Sequence, residues 1–287
     1  VTGDDFGVSV PVNEAIEEAH VRGILTAASL MVAGPAAADA VARARRLLSL
    51  RVGLHVVVTR GRPVLPASQV PDLVGADGRF RTGLFRAGLA YFFRRAARRQ
   101  LRAEIQAQFE AFARTGLALD HADAHNHLQL HPTVSRAIVE AGRAHGLPAL
   151  RVPAEPTLAA WRAFGGRLPA RLLERALLCP WVALLSRRAS RAGLVRADSV
   201  FGVHDSGRMT EERLARLIER LPAGTTEIHL HPFARTWPGM EPGMVGYRGP
   251  EELAALTSPR VAAAVEKRGA RRASYSDLTE PRPEAAR

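Results

Sequence analysis

Two adjacent carboxylates, Asp4 and Asp5, stand in "VTGDDFGVSV", and histidines gather at three later places: His55 in "VGLHVVV", four between His121 and His131, and His229 and His231 in "TEIHLHP". A divalent metal needs an anionic oxygen ligand, and hydrolysis needs a second carboxylate to take a proton from the attacking water. Neighbouring aspartates at a strand end could divide those roles, the ligand kept ionised by the metal and its neighbour left free to accept the proton. In "DAHNH", Asp123, His125 and His127 alternate, so on a strand they would face the same way. On a helix, His121 and His125 would instead form an i, i+4 metal pair. Pro132 favours strand and loop for this cluster and a helix after it. A lone histidine is usually a surface or satisfied core residue. Three histidine sites at strand ends, with an acidic pair at a fourth, point to a distributed metal or acid/base site.

Other chemistries find no support in the residues. "DFG" also occurs in protein kinases, but the Gly-rich loop, strand lysine and "HRD" are missing. A phosphate-binding P-loop, a dinucleotide fingerprint and a "GxSxG" elbow are absent as well.

The elements that must position these residues alternate between strand and helix. Ser9 can cap a helix that has Pro11 in its first turn, runs to about Arg22 and stops at Gly23. A short apolar segment spans 24–33, a helix 36–50 and a buried strand 52–58. A Gly/Pro-rich loop, 61–83, precedes a long helical stretch over 84–114. After the histidine cluster come a helix over 133–145, a strand at "ALRV", helical Arg-rich sequence over 158–192, a helix over 210–220, the strand "TEIHLH" and two short helices after Pro250. Strands separated by helices indicate parallel βαβ units. The expected architecture is an α/β fold, an irregular (β/α) barrel with its active site at the C-terminal ends of the strands. One barrel domain over 1–276, with helical insertions near 84–114 and 158–192, and a disordered tail over 277–287 complete the expectation.

The chain has 287 residues, 47% of them apolar, enough for a substantial core. Its 40 basic residues against 28 acidic ones give a net charge of +12, all but Lys267 being arginine. Such charge invites a nucleic-acid or membrane reading, yet arginine patches explain neither the paired aspartates nor the strand-end histidines, and no nucleic-acid partner is expected. The apolar run from Ala176 to Leu185 contains Pro180 and is too short for a bilayer span. The chain opens on Val1 without a recognisable secretory leader, and Cys179 has no partner for an internal disulfide, so a cytoplasmic address is expected.

The motifs "TGDDFG" with "VNEAI", "VGLHVVVTRGRPV", "DHADAHNHLQLHPTV", "LRVP" and "TEIHLHP", in this order, resemble the YdjC-like carbohydrate deacetylases over nearly the whole chain. The wording "TGDDFG", "AEIQAQFEAFARTGL" and "RVPAEP" is most similar to a hopanoid-biosynthesis-associated branch. The resemblance implies a metal-dependent N-deacetylase with Asp5, His55 and His125 as ligands of one divalent ion, zinc or magnesium foremost. It implies Asp4 as general base, His231 as the group that protonates the leaving amine in its imidazolium form, and Arg151 as the residue that orients Asp4. His127, Asp123 and Trp237 are expected behind the ligands or toward the substrate; the resemblance leaves His204 without a role.

The implied substrate is N-acetylglucosaminyl-bacteriohopanetetrol, a glycolipid that would release acetate; small N-acetylated sugars such as chitobiose are the alternative. In "LAYFFRRAARRQLR", Arg94, Arg95, Arg98, Arg99 and Arg102 recur at helical spacing beside Tyr91, Phe92 and Phe93. That pattern fits a helix resting on the inner face of an anionic membrane, and equally an amphipathic helix packed on the barrel. "TWPGMEPGM" is expected to form a cover for the sugar.

Overall fold

The computed structural model describes residues 1–279. Six strands, β1 (Thr2–Phe6), β2 (Ala27–Leu30), β3 (Arg51–Val56), β4 (Leu119–Ala124), β5 (Ser199–Phe201) and β6 (Thr226–Leu230), form one sheet in the order β4-β3-β2-β1-β6-β5. Every pairing is parallel. The helices are α1 (Val10–Arg22), α2 (Ala37–Arg46), α3 (Leu84–Phe93), α4 (Arg95–Arg114), α5 (Pro132–Ala144), α6 (Thr157–Phe164), α7 (Leu168–Arg191), α8 (Glu211–Ile218), α9 (Gly249–Leu256), α10 (Pro259–Lys267) and α11 (Ser276–Thr279).

The sheet curls into an irregular barrel. Its edges, β4 and β5, are bridged by backbone hydrogen bonds of the 149–154 segment: Arg151 N to Ala122 O at 3.0 Å and Val200 N to Ala154 O at 3.2 Å. Here the sequence reading is corrected. "ALRV" makes only isolated bridges, Ala122 with Leu150 and Ala149 with Val195, where a strand was expected. The three-residue β5 carried too little apolar pattern to be read. The expected helix over 84–114 is two helices, because Arg94 adopts an extended conformation at φ −90° and ψ 115°. The expected tail falls mainly on 280–287, outside the described residues; Ser276–Thr279 before it is a short helix. Among the described residues, no helix is long and apolar enough to cross a membrane.

Local chemistry sets the first βα turn. Ser9 caps α1 by accepting from Val12 N, with Pro11 in the first turn as expected. Asn13, fully buried, accepts from Gly7 N at 2.8 Å and donates to Ala36 O at 3.0 Å, so one side chain ties the "DDFG" turn to the loop before α2. Phe6, Ile16 and Leu30 pack beneath that turn in the main core, which Leu54, Phe109 and Ile138 continue under the neighbouring strands.

Candidate metal and acid/base site

On a regular strand, Asp4 and Asp5 would point to opposite faces. β1 is not regular there: Gly3 pairs with Ala28 and Phe6 with Leu30, so β1 holds one residue more than its partner over that interval. Asp5 takes up the bulge in a left-handed conformation, φ 61°, which is uncommon outside glycine and is concentrated at functional sites. Both carboxylates, each almost fully buried, thereby reach the same site.

Asp5, His55 and His125 each present a donor atom, all within 4.8 Å of one another. Asp5 Oδ1 lies 3.3 Å from His55 Nε2 and 3.1 Å from His125 Nδ1, while Oδ2 lies 3.7 Å from His231 Nε2. His55 Nδ1 is 2.8 Å from Asp123 Oδ1; a proton shared there leaves Nε2 to face the site. Asp5 Oδ2 and His55 Nε2 are buried with no hydrogen-bond partner among the described residues. Buried orphan atoms converging at one point mark a place for a ligand, and one carboxylate with two imidazoles fits a divalent cation. The residues therefore fit the expected metal.

Arg151, fully buried, holds Asp4 with Nη1 at 2.7 Å and Nη2 at 2.8 Å. Its Nε donates to Glu227 at 3.0 Å, and Nη1 also contacts Asp123. One guanidinium thus bridges a cage of three buried carboxylates. Burial alone would raise Asp4, but Arg151 holds its carboxyl well below the usual range. Glu227, raised by burial and pulled back by Arg151, ends at about 2. Burial likewise opposes the charge on His55, yet Asp123 and Asp5 raise it well above the ordinary imidazole value. His231 goes the other way: burial pushes it down to about 4, against the pull of Asp5 and Asp4. Burial thus works against the imidazolium form expected of His231.

The histidine cluster is also arranged differently from its expected strand alternation. β4 ends at Ala124, and 125–130 forms a 3-10 segment in which Asn126 and His127 are left-handed at φ 55° and 53°. Asp123, His125 and His127 therefore share no strand face. His125 turns to Asp5, whereas His127 packs edge-on against His229 at 5.0 Å. His121 takes no part in the site. It bonds Asp120 at 2.8 Å and Ser29 at 3.0 Å in the barrel floor, which removes the His121–His125 pair.

The family described as YdjC-like protein matches residues 1–267. The chain belongs to the YdjC-like family. A carbohydrate deacetylase of Mus musculus is 34% identical, covering 99% of this chain and 95% of its own length. One of Geobacillus stearothermophilus is 30% identical over 97% and 96%. A crystal structure of a proposed cellobiose-phosphate cleavage protein from Enterococcus faecalis shares the fold, with a TM-score of 0.72 at 23% identity, covering 96% of this chain and 97% of that one.

In this YdjC-like chain the structure gives the strand-end His229 a partner, its Nδ1 lying 3.4 Å from Asp4 Oδ2, and adds Glu227 of the Arg151 cage, which sequence reasoning missed. Its signal was present: Glu227, His229 and His231 alternate in "TEIHLH" and share one side of β6 and its extension. Tyr247, at 5.1 Å, is the aromatic ring against His231; Trp237 stands edge-on to Phe233 at 5.6 Å. From the expected cover, Glu241 comes within 3.9 Å of His125 Nε2. His204 pairs with Glu155 at 3.7 Å and Glu174 at 3.2 Å.

Proposed function

We propose that this chain is a metal-dependent carbohydrate N-deacetylase that removes acetyl from an N-acetylglucosamine group. Its proposed substrate is the hopanoid glycolipid N-acetylglucosaminyl-bacteriohopanetetrol. The observation that carries the hydrolytic reading is the adjacency of two differently treated aspartates: Asp5 among imidazole donors and Asp4 clamped by Arg151. The names of the relatives support a carbohydrate as substrate. The motif wording in "TGDDFG" and "RVPAEP" supports the hopanoid branch.

A divalent ion held by Asp5, His55 and His125 would supply Lewis-acid polarisation of the acetamide carbonyl and stabilise the oxyanion. Asp4 is kept ionised by Arg151 and accepts the proton of the attacking water at a carboxylate oxygen. The Arg151 clamp fixes both oxygens of Asp4, so little reorganisation accompanies proton transfer. His231 donates a proton to the leaving nitrogen, for which its ring must be protonated against the opposition of its buried surroundings. His229, 3.4 Å from Asp4 and 6.0 Å in ring centroids from His231, stands on the short route between them.

The test is acetate release from the detergent-solubilised glycolipid by metal-loaded and chelated protein, with chitobiose alongside. Metal-dependent release from the glycolipid is the expected result. Release from chitobiose alone would retain the chemistry and discard the hopanoid substrate; release from neither would overturn the enzymatic reading.

A further inference from the structure

We propose that the rim formed by α3 and the N-terminal half of α7 docks onto an anionic lipid bilayer. Both helices carry apolar side chains into solvent. On α3, Phe85, Leu89, Phe92 and Phe93 are exposed by 79%, 44%, 46% and 70%, at i, i+4, i+7 and i+8, while Ala87 and Tyr91 fill the core from the opposite face. On α7, Leu173, Leu177 and Trp181 are exposed at successive i+4 steps, beside Leu172. Burial on α7 begins only at Leu185 and Ala189. A soluble helix normally spends such residues on its core-facing stripe, so these form a second, unpartnered stripe.

The two helices are joined through α5, which follows the 3-10 segment carrying His125. His131, which caps α5 just after the 3-10 segment, bonds through Nε2 to Gly88 O of α3 at 3.1 Å. Arg188 of α7 donates to Pro132 O in the same turn at 2.7 Å. The start of α7 is tied by Arg171 to Asp205, beyond the C-terminal end of β5, at 2.7 Å. The contacts therefore set the exposed stripes beside the segments that follow β4 and β5.

Charge decides between occupants. Arg86, Arg94, Arg95, Arg99, Arg175 and Arg187 flank the stripes and make no salt bridge among the described residues. Arg143, Arg187, Arg188 and Arg191, with Arg136 paired to Glu140, line a groove of about 460 Å³ between α5 and α7. A second copy of this chain on the rim would set arginines against arginines. An anionic headgroup layer instead complements them while its acyl boundary takes the phenylalanines and leucines. The surface goes beyond the catalytic reading and does not depend on it.

Co-sedimentation with phosphatidylcholine vesicles, with and without phosphatidylglycerol, tests the docking. The wild-type chain should bind the phosphatidylglycerol vesicles and shift Trp181 fluorescence to the blue, the shift being lost in Trp181→Phe. A Phe85→Ser, Phe93→Ser, Leu177→Ser variant should bind at least about tenfold more weakly. An Arg95→Glu, Arg99→Glu, Arg187→Glu variant should lose about tenfold on the charged vesicles alone. All these positions are exposed, and circular dichroism confirms that the variants fold. Failure of the wild type to bind charged vesicles, or undiminished binding by both variants, overturns the proposal; so does a lipid-free dimer that the Phe/Leu variant dissociates. Acetate release plays no part in this readout, so a failed deacetylase assay leaves the docking result standing, and the reverse.

Discussion

Arg151 meets Asp4 edge to edge, with Nη1 and Nη2 donating to separate carboxylate oxygens at 2.7 and 2.8 Å. The same guanidinium reaches Glu227 and Asp123, so one cation on the segment after β4 joins three buried anions of β1, β4 and β6. Orientation of the proposed base and integrity of the barrel interior therefore depend on a single side chain.

Removing that cation leaves uncompensated buried charge. Arg151→Met is expected to lose about 3–5 kcal/mol of stability, read by urea denaturation. Arg151→Lys should recover much of that stability but little of the turnover, because an ammonium lacks the two-pronged geometry that aligns Asp4.

The two aspartates should separate cleanly by assay. Asp4→Asn is expected to lower kcat by roughly 10²–10⁴-fold with metal content unchanged. Asp5→Asn should lose the metal while keeping the fold, since asparagine tolerates the left-handed conformation at this position. Metal loss from the Asp4 variant would mean that the two roles are exchanged.

Asp123 fixes the ring of His55, and Asp123→Asn should weaken metal affinity roughly 10- to 100-fold, measured by chelator competition. Asp123 and Asp5 raise His55 well above the ordinary imidazole value, which favours an extra proton on it in the metal-free protein. Metal binding should expel it, and the calorimetric enthalpy should then vary with the ionisation enthalpy of the buffer.

Glu155 offers a pH test away from the proposed metal ligands. Burial raises it from 4.5 to about 7, against the backbone donors Gly202 and Val203. The folded chain then holds a proton that the unfolded chain releases, so this stabilising contribution is full below pH 4.5 and is lost as pH rises through about 7. Relative to Glu155→Gln, the wild type should lose at most about 3 kcal/mol between pH 5 and pH 8. An identical pH profile for the two proteins would contradict the assignment.

The barrel floor has no room beside His121. A Cβ at Gly53 would lie 2.5 Å from that ring, and Gly53→Ala is expected to cost about 1–3 kcal/mol in thermal or urea unfolding.

Much of this was legible in the residues. The Ser9 cap, the parallel strand–helix alternation and the placement of His55, Asp123 and His231 near strand ends follow from local propensity and period-two patterning, which act over a few residues. The break at Arg94 and the bridging role of 149–154 were not legible, because each depends on what packs or pairs nearby.

The sequence by itself determined which chemical groups the protein possesses and that strand ends would carry them, since residue type and hydrophobic period are local properties. Only the tertiary structure decided which groups meet. The bulge that brings Asp4 and Asp5 together, the left-handed turn that sends His125 to Asp5 and His127 to His229, and the joining of Asp4, Asp123 and Glu227 by Arg151 all depend on barrel closure. Their physical cause is non-local: a buried charge must find its counter-charge, and a curled sheet must absorb its extra residue, wherever in the chain the partner lies.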